Sequence, residues 1–175
     1  MNIQQTHFEL FGLPPTFELD TKKLDQQYRL LQSEVHPDRF AASADSERRL
    51  SLQYATQANE AYQTLKNPLT RARYLLQLKG IDTQEESNTA MPVEFLMQQM
   101  EWREALEEAA ETANADELEA LKKQLHEAAK ALQLKLASAL DINGDDAIAT
   151  ETVRKLRFID KAQQEVDQAL EVLES

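Results

Sequence analysis

Glycine and proline are so sparse in this chain that nearly everything between them is committed to helix. There are three glycines and five prolines in 175 residues. They fall at Gly12, Pro14 and Pro15, then at Pro37, Pro68, Gly80, Pro92 and Gly144. Between these breakers the apolar residues recur every three or four positions, the spacing of one helical face, and nowhere alternate as a strand requires. Leucine, alanine, glutamate and glutamine dominate, all good helix formers. No internal repeat is visible. The pattern predicts an all-α protein.

The breakers divide the chain into segments. "HFELFGLPP" reads as a short helical turn ended by Gly12 and Pro14. Asp20 then caps a helix whose stripe is Leu24, Tyr28, Leu31 and Val35. Pro37 has no amide hydrogen and disfavours helical angles at His36, so this helix ends there. After the loop "AASADSE" a second stripe runs through Leu50, Tyr54, Ala58, Ala61 and Leu65 to the stop at Asn67-Pro68. The short connection makes these two helices an antiparallel hairpin. A further helix carries Ala72, Leu75 and Leu76 and ends at Gly80. Residues 81–90 are polar and aperiodic, and mark a boundary. Three long helices follow. The first spans 92–113, with Pro92 in its first turn. The second spans 116–140, with Leu118, Leu121, Leu125, Ala128, Leu132, Leu136 and Ala139 on one face. After the turn "DINGDD" the third, about 146–173, buries Leu156, Ile159, Val166, Leu170 and Leu173. Their short connections favour an antiparallel three-helix bundle.

Charge and composition exclude several functions. The net charge is −12, so nucleic acid, which needs a basic face, is not an expected partner. There is no cysteine, which removes disulfides, thiolate catalysis and thiolate-held metal clusters. No apolar run approaches the roughly 20 residues that span a bilayer, and the N-terminus lacks a basic-then-apolar leader. A cytoplasmic protein without membrane contact is expected. His7 and His126 are isolated, no glycine loop cradles phosphate, and adjacent acids such as Glu107 and Glu108 diverge on a helix. No enzyme, metal site or cofactor is expected.

One short motif stands apart. His36-Pro37-Asp38 closes an amphipathic helix and precedes an antiparallel one containing "ANEAYQTLKNP". A charged loop at the tip of a rigid hairpin is a common place for function. With "FELFGLPP", "YRLLQSEVHPDRF" and "ANEAYQTLKNPLTRARYLL", about residues 5–76 resemble a J domain, the module that activates DnaK-type ATPase chaperones. That resemblance implies that His36, Pro37 and Asp38 contact the chaperone, with Lys22, Lys23, Arg29 and Arg39 as a modest basic face beside them. The later segments "PLTRARYLLQLKG", "FLMQQMEWREAL" and "TVRKLRFIDK" extend the resemblance to nearly the whole chain. It is similar to the HscB family, J-type co-chaperones of iron–sulfur cluster biogenesis. The implied organisation is a J domain at 1–80, a linker at 81–91 and a scaffold-binding bundle at 92–175.

Helix 92–113 has too many apolar positions for one buried face. Phe95, Trp102, Leu106, Ala109 and Ala113 form the stripe that can face the bundle. Val93, Leu96, Met97 and Met100 lie on the opposite side, flanked by Glu101 and Glu104. This second stripe either packs on the first domain or is an exposed patch, and patches rimmed by charge mark partner sites. Two methionines suit an adaptable surface. The family resemblance implies the partner role. It assigns scaffold binding to Leu96, Met97, Met100, Glu101, Glu104 and Phe158, the last a shoulder residue on its own helix. The partners implied are an HscA-type ATPase chaperone and the scaffold protein on which clusters are built. The rival is a non-catalytic helical assembly protein that dimerises through the Leu96–Met100 stripe.

Overall fold

The computed structural model describes residues 2, 4–87 and 90–175. Among them every regular element is helical: α1 (His7–Leu10), α2 (Thr21–Val35), a 3₁₀ turn (Pro37–Phe40), α3 (Asp45–Lys66), α4 (Pro68–Leu78), α5 (Val93–Glu111), α6 (Ala115–Ala137), a π-helical segment (Ser138–Asn143) and α7 (Asp146–Glu174). The contacts separate two units, 1–79 and 80–175.

In the first unit α2 and α3 form the hairpin, and α1 and α4 pack against α3. Asp20 caps α2 by accepting from the amides of Lys22 and Lys23, both at 3.1 Å. The small Ala58 and Ala61 are buried, which lets α3 lie close to its neighbours, and Phe8, Phe11, Leu24, Leu65 and Leu76 fill the core around them. Truncating Leu65 to alanine there would cost about 2–5 kcal/mol. The outer edge of the hairpin is tied by polar contacts. Tyr62 and Lys66 of α3 both donate to Asp25 of α2, at 2.8 and 2.7 Å. Donation by Lys66 and then Tyr62 holds the Asp25 carboxyl below its ordinary range. Tyr28 stacks on Tyr62 at 4.1 Å between centroids.

One expected core position fails. Leu50 is 43% exposed, and the neighbouring Ser51 takes its place inside. At that level the buried face of α3 meets the end of α2, where the last carbonyls have no partner within the helix. Ser51 donates its hydroxyl to the Val35 carbonyl at 2.9 Å; leucine could not.

In the second unit α6 packs along α7 and α5 closes the bundle. Lys122 of α6 pairs with Asp167 of α7 at 2.8 Å, as antiparallel neighbours must. Several details differ from expectation. Pro92 sits just before α5 as its cap residue. Ala113 is exposed rather than on the buried stripe, because α5 ends at Glu111 and Ala113 adopts φ +51°; Asn114 then caps α6. Ala129 is buried where Ala128 is only half-buried. Leu173 is 36% exposed, since it lies in the last turn, opposite the start of α6, where the bundle opens to solvent. The turn at "DINGDD" is also tighter than its composition suggests. Helical backbone continues to Asn143, Gly144 reverses it at φ +60°, and Asp145 caps α7.

Residues 88 and 89 lie outside the described residues; the described residues between 81 and 91 hold no helix, as their lack of periodicity predicts. The run does not hang free of the second unit. Thr83 is buried, and its carbonyl accepts from Arg154 Nε of α7 at 2.8 Å. Among the described residues no helix is long and apolar enough to cross a membrane.

Candidate functional site

Two surfaces concentrate the residues singled out above. The first is the turn between α2 and α3. His36 ends α2 and caps the 3₁₀ turn: its Nδ1 accepts from the Asp38 amide at 3.2 Å. The same nitrogen lies 3.6 Å from an Asp38 carboxylate oxygen. The turn is braced from behind. Arg39 donates to the Ser33 carbonyl at 3.2 Å, and Ser51 holds that of Val35. Yet its functional groups face water: the His36 and Asp38 side chains are 50% and 93% exposed. The backbone is thus fixed while the side chains stay available.

Lys22, Lys23 and Arg29 are exposed on α2. Lys22 and Arg29, seven residues apart, share a face, and Arg39 reaches the backbone one turn beyond Arg29. Two lysines in the first turn of a helix oppose its macrodipole. Asp20 offsets that arrangement, which gives the fold nothing.

The second surface belongs to the bundle. Val93, Met97 and Met100 are 69%, 59% and 62% exposed, and Leu96 is 40% exposed. At about 100° per residue they occupy one arc of α5, with Glu104 continuing it one turn beyond Met100 and Glu101 on its outer edge. On the inner edge Phe95, Trp102 and Phe158 form an aromatic cluster. Trp102 stacks on Phe158 at 6.3 Å, and Phe95 meets both edge-on at 6.2 and 6.0 Å. Trp102 is buried. Phe158 is half-buried, and it lines with Leu96 an open groove between α5 and α7. A ring held by packed neighbours yet still half-exposed is a rigid apolar anchor.

Comparison with known proteins gives this geometry a family. A profile described as the HSCB C-terminal oligomerisation domain matches residues 91–167. A co-chaperone protein HscB homolog of Burkholderia thailandensis is 51% identical over 174 residues, covering 99% of this chain and 99% of the relative. The chain belongs to the HscB family. Among solved structures, the chaperone HscB from Vibrio cholerae aligns with a TM-score of 0.85 at 39% identity, over 97% of this chain and 99% of that one. The human co-chaperone protein HscB aligns with a TM-score of 0.90 at 30% identity, over 96% and 83% of the two chains.

As an HscB-family protein the chain has a J domain at its N-terminus and a helical bundle at its C-terminus. The His36–Asp38 turn and the basic residues of α2 fall on the J domain. Leu96 and Phe158 line one groove of the bundle, and Met97, Met100, Glu101 and Glu104 stand exposed on the outward side of α5. Three features escape a sequence reading. Ser51 and Arg39 brace the turn through contacts of 16 and 6 residues' separation, which periodicity does not encode. The clamp on Phe158 depends on Trp102 from another helix. The cations Arg154, Arg157 and Lys161 share one stripe of α7 with Phe158; their spacing carries the signal, but it is also the pattern of an ordinary solvated face. Among the described residues no cluster of histidines and acids is placed to hold a metal ion.

Proposed function

We propose that this HscB-family co-chaperone binds the protein scaffold on which iron–sulfur clusters are built and presents it to a DnaK/HscA-type ATPase in the cytoplasm. The scaffold rests on Leu96, Met97, Met100, Glu101, Glu104 and Phe158. The chaperone is contacted by His36, Pro37 and Asp38, with Lys22, Lys23, Arg29 and Arg39 steering it. Holding the scaffold raises its effective concentration at the chaperone's peptide groove. Stimulation of hydrolysis is a coupling between sites on the partner, so ATP and its chemistry belong there and this chain is not an enzyme.

The observation that carries this reading is the braced turn with its exposed histidine and aspartate. Contacts fix the backbone of the turn while the His36 and Asp38 side chains stay 50% and 93% exposed, which suits a group presented to a partner. The test is His36→Gln in a steady-state ATPase assay with purified chaperone. Stimulation is expected to fall to the unstimulated rate while far-UV circular dichroism stays unchanged. Full stimulation by the folded variant would remove the turn from the mechanism.

The family's description as an oligomerisation domain favours a second use of the α5 stripe, a homodimer. Sedimentation equilibrium separates the two: a monomer up to high micromolar concentration leaves the stripe to the scaffold.

A further inference from the structure

The groove beside the apolar stripe has a charged wall. Arg154, Arg157 and Lys161 of α7 follow Phe158's face at intervals of three and four residues, and Arg103 joins them from α5. Arg103 lies over the Phe158 ring at 5.5 Å, so it stands where the anchor ring meets solvent. This is a concentration of cations in a chain of net charge −12. Arg154 is engaged by the Thr83 carbonyl. Glu85 and Glu86 both line the groove, and Arg157 pairs with the carboxylate of Glu86 at 3.3 Å. Glu86 itself is 82% exposed, and an ion pair this open contributes about 0–1 kcal/mol. A partner's carboxylate can take its place at little cost. The opposite rim carries Glu101 and Glu104, both exposed. The surface is therefore polarised: basic along α7, apolar through Leu96 and Phe158, acidic on the outer edge of α5.

Building on the scaffold-binding reading, we infer that the basic wall formed by Arg157 and Lys161 of α7 with Arg103 of α5 receives an acidic segment of the scaffold that flanks its apolar anchor, and that Glu86 occupies this site in its absence. The polarity across the groove fixes the orientation of docking: reversal would set carboxylates against Glu101 and Glu104. Such complementarity selects orientation and partner more than it adds raw affinity.

The test uses the full-length protein and purified scaffold protein, with affinity measured by calorimetry at low and moderate salt. Arg157→Gln with Lys161→Gln is expected to weaken binding about five- to tenfold at low salt, and less as salt screens the wall. Glu86→Gln is expected to act in the opposite direction and tighten binding about two- to threefold, because it removes the resident carboxylate. The opposed signs separate recognition from structure. If the Glu86–Arg157 pair only held the fold, both substitutions would weaken binding together, and that result overturns the proposal. So does an unchanged affinity in the double variant when wild type binds. A wild type that fails to bind, under conditions where the chaperone ATPase still responds, overturns scaffold binding and this inference together.

Discussion

Converting Met97 and Met100 to glutamine tests the α5 stripe with little disturbance of the helix. Glutamine has nearly the length of methionine and a similar helix propensity, so only the apolar tips change. The two side chains are 59% and 62% exposed; together they leave a little more than one side chain of apolar surface in water. Burying a whole methionine is worth about 2 kcal/mol, so a partner docked over both gains about 2–2.5 kcal/mol. The double variant is expected to bind scaffold about 30- to 60-fold more weakly. Its stability should change by less than about 1 kcal/mol, since exposed substitutions lie within about 0.5 kcal/mol each. Isothermal calorimetry gives the first quantity, and thermal unfolding followed by circular dichroism the second. ATPase stimulation by the variant alone should persist, because the His36 turn lies in the other unit. An affinity within threefold of wild type, with a melting temperature lowered by more than about 8 °C, would show that the stripe supports the fold.

Two other outcomes follow from the J domain. Ser51→Ala leaves the Val35 carbonyl buried without a donor and is expected to cost about 1–2 kcal/mol in denaturant unfolding, with faster amide exchange through residues 36–40; unchanged stability would show that the hydroxyl is dispensable. Burial holds the His7 imidazole below its ordinary value, with Glu60 opposing, while Tyr74 stacks on the ring at 4.3 Å. The unfolded chain therefore takes up the proton first, and stability present above about pH 6.5 is lost as pH falls toward the lowered folded value. His7→Phe keeps the stack and should flatten the dependence of melting temperature on pH between 7 and 5; an equally steep variant would place the sensitivity elsewhere.

The helices were legible because each buries one stripe and ends at a residue with a stated reason: Asp20, Asn67-Pro68 and Gly80 all stand where the backbone needs them. The apolar half of the candidate surface was legible for the opposite reason, since Leu96, Met97 and Met100 exceed what one buried face can hold. Periodicity fails where a position answers to another segment. Ser51 is polar on a buried stripe because a carbonyl of α2 meets it. Ala113 leaves its stripe because α5 stops two residues earlier. Leu173 keeps the spacing but has run past its neighbours. The cations of α7 look like a solvated face until residues 83–86 and α5 are set beside them.

The clamp that holds Phe158 has an optical consequence. Trp102 is the single tryptophan of the chain, and it lies nearly parallel to the Phe158 ring, at 16°, directly behind the groove. The four tyrosines absorb elsewhere in the molecule, but red-edge excitation selects the indole alone. A partner that presses on Phe158 is expected to alter the polarity and packing around that one emitter. The protein thus carries a label-free reporter beside the groove, and a change in its emission on adding scaffold protein would be the expected sign of docking there.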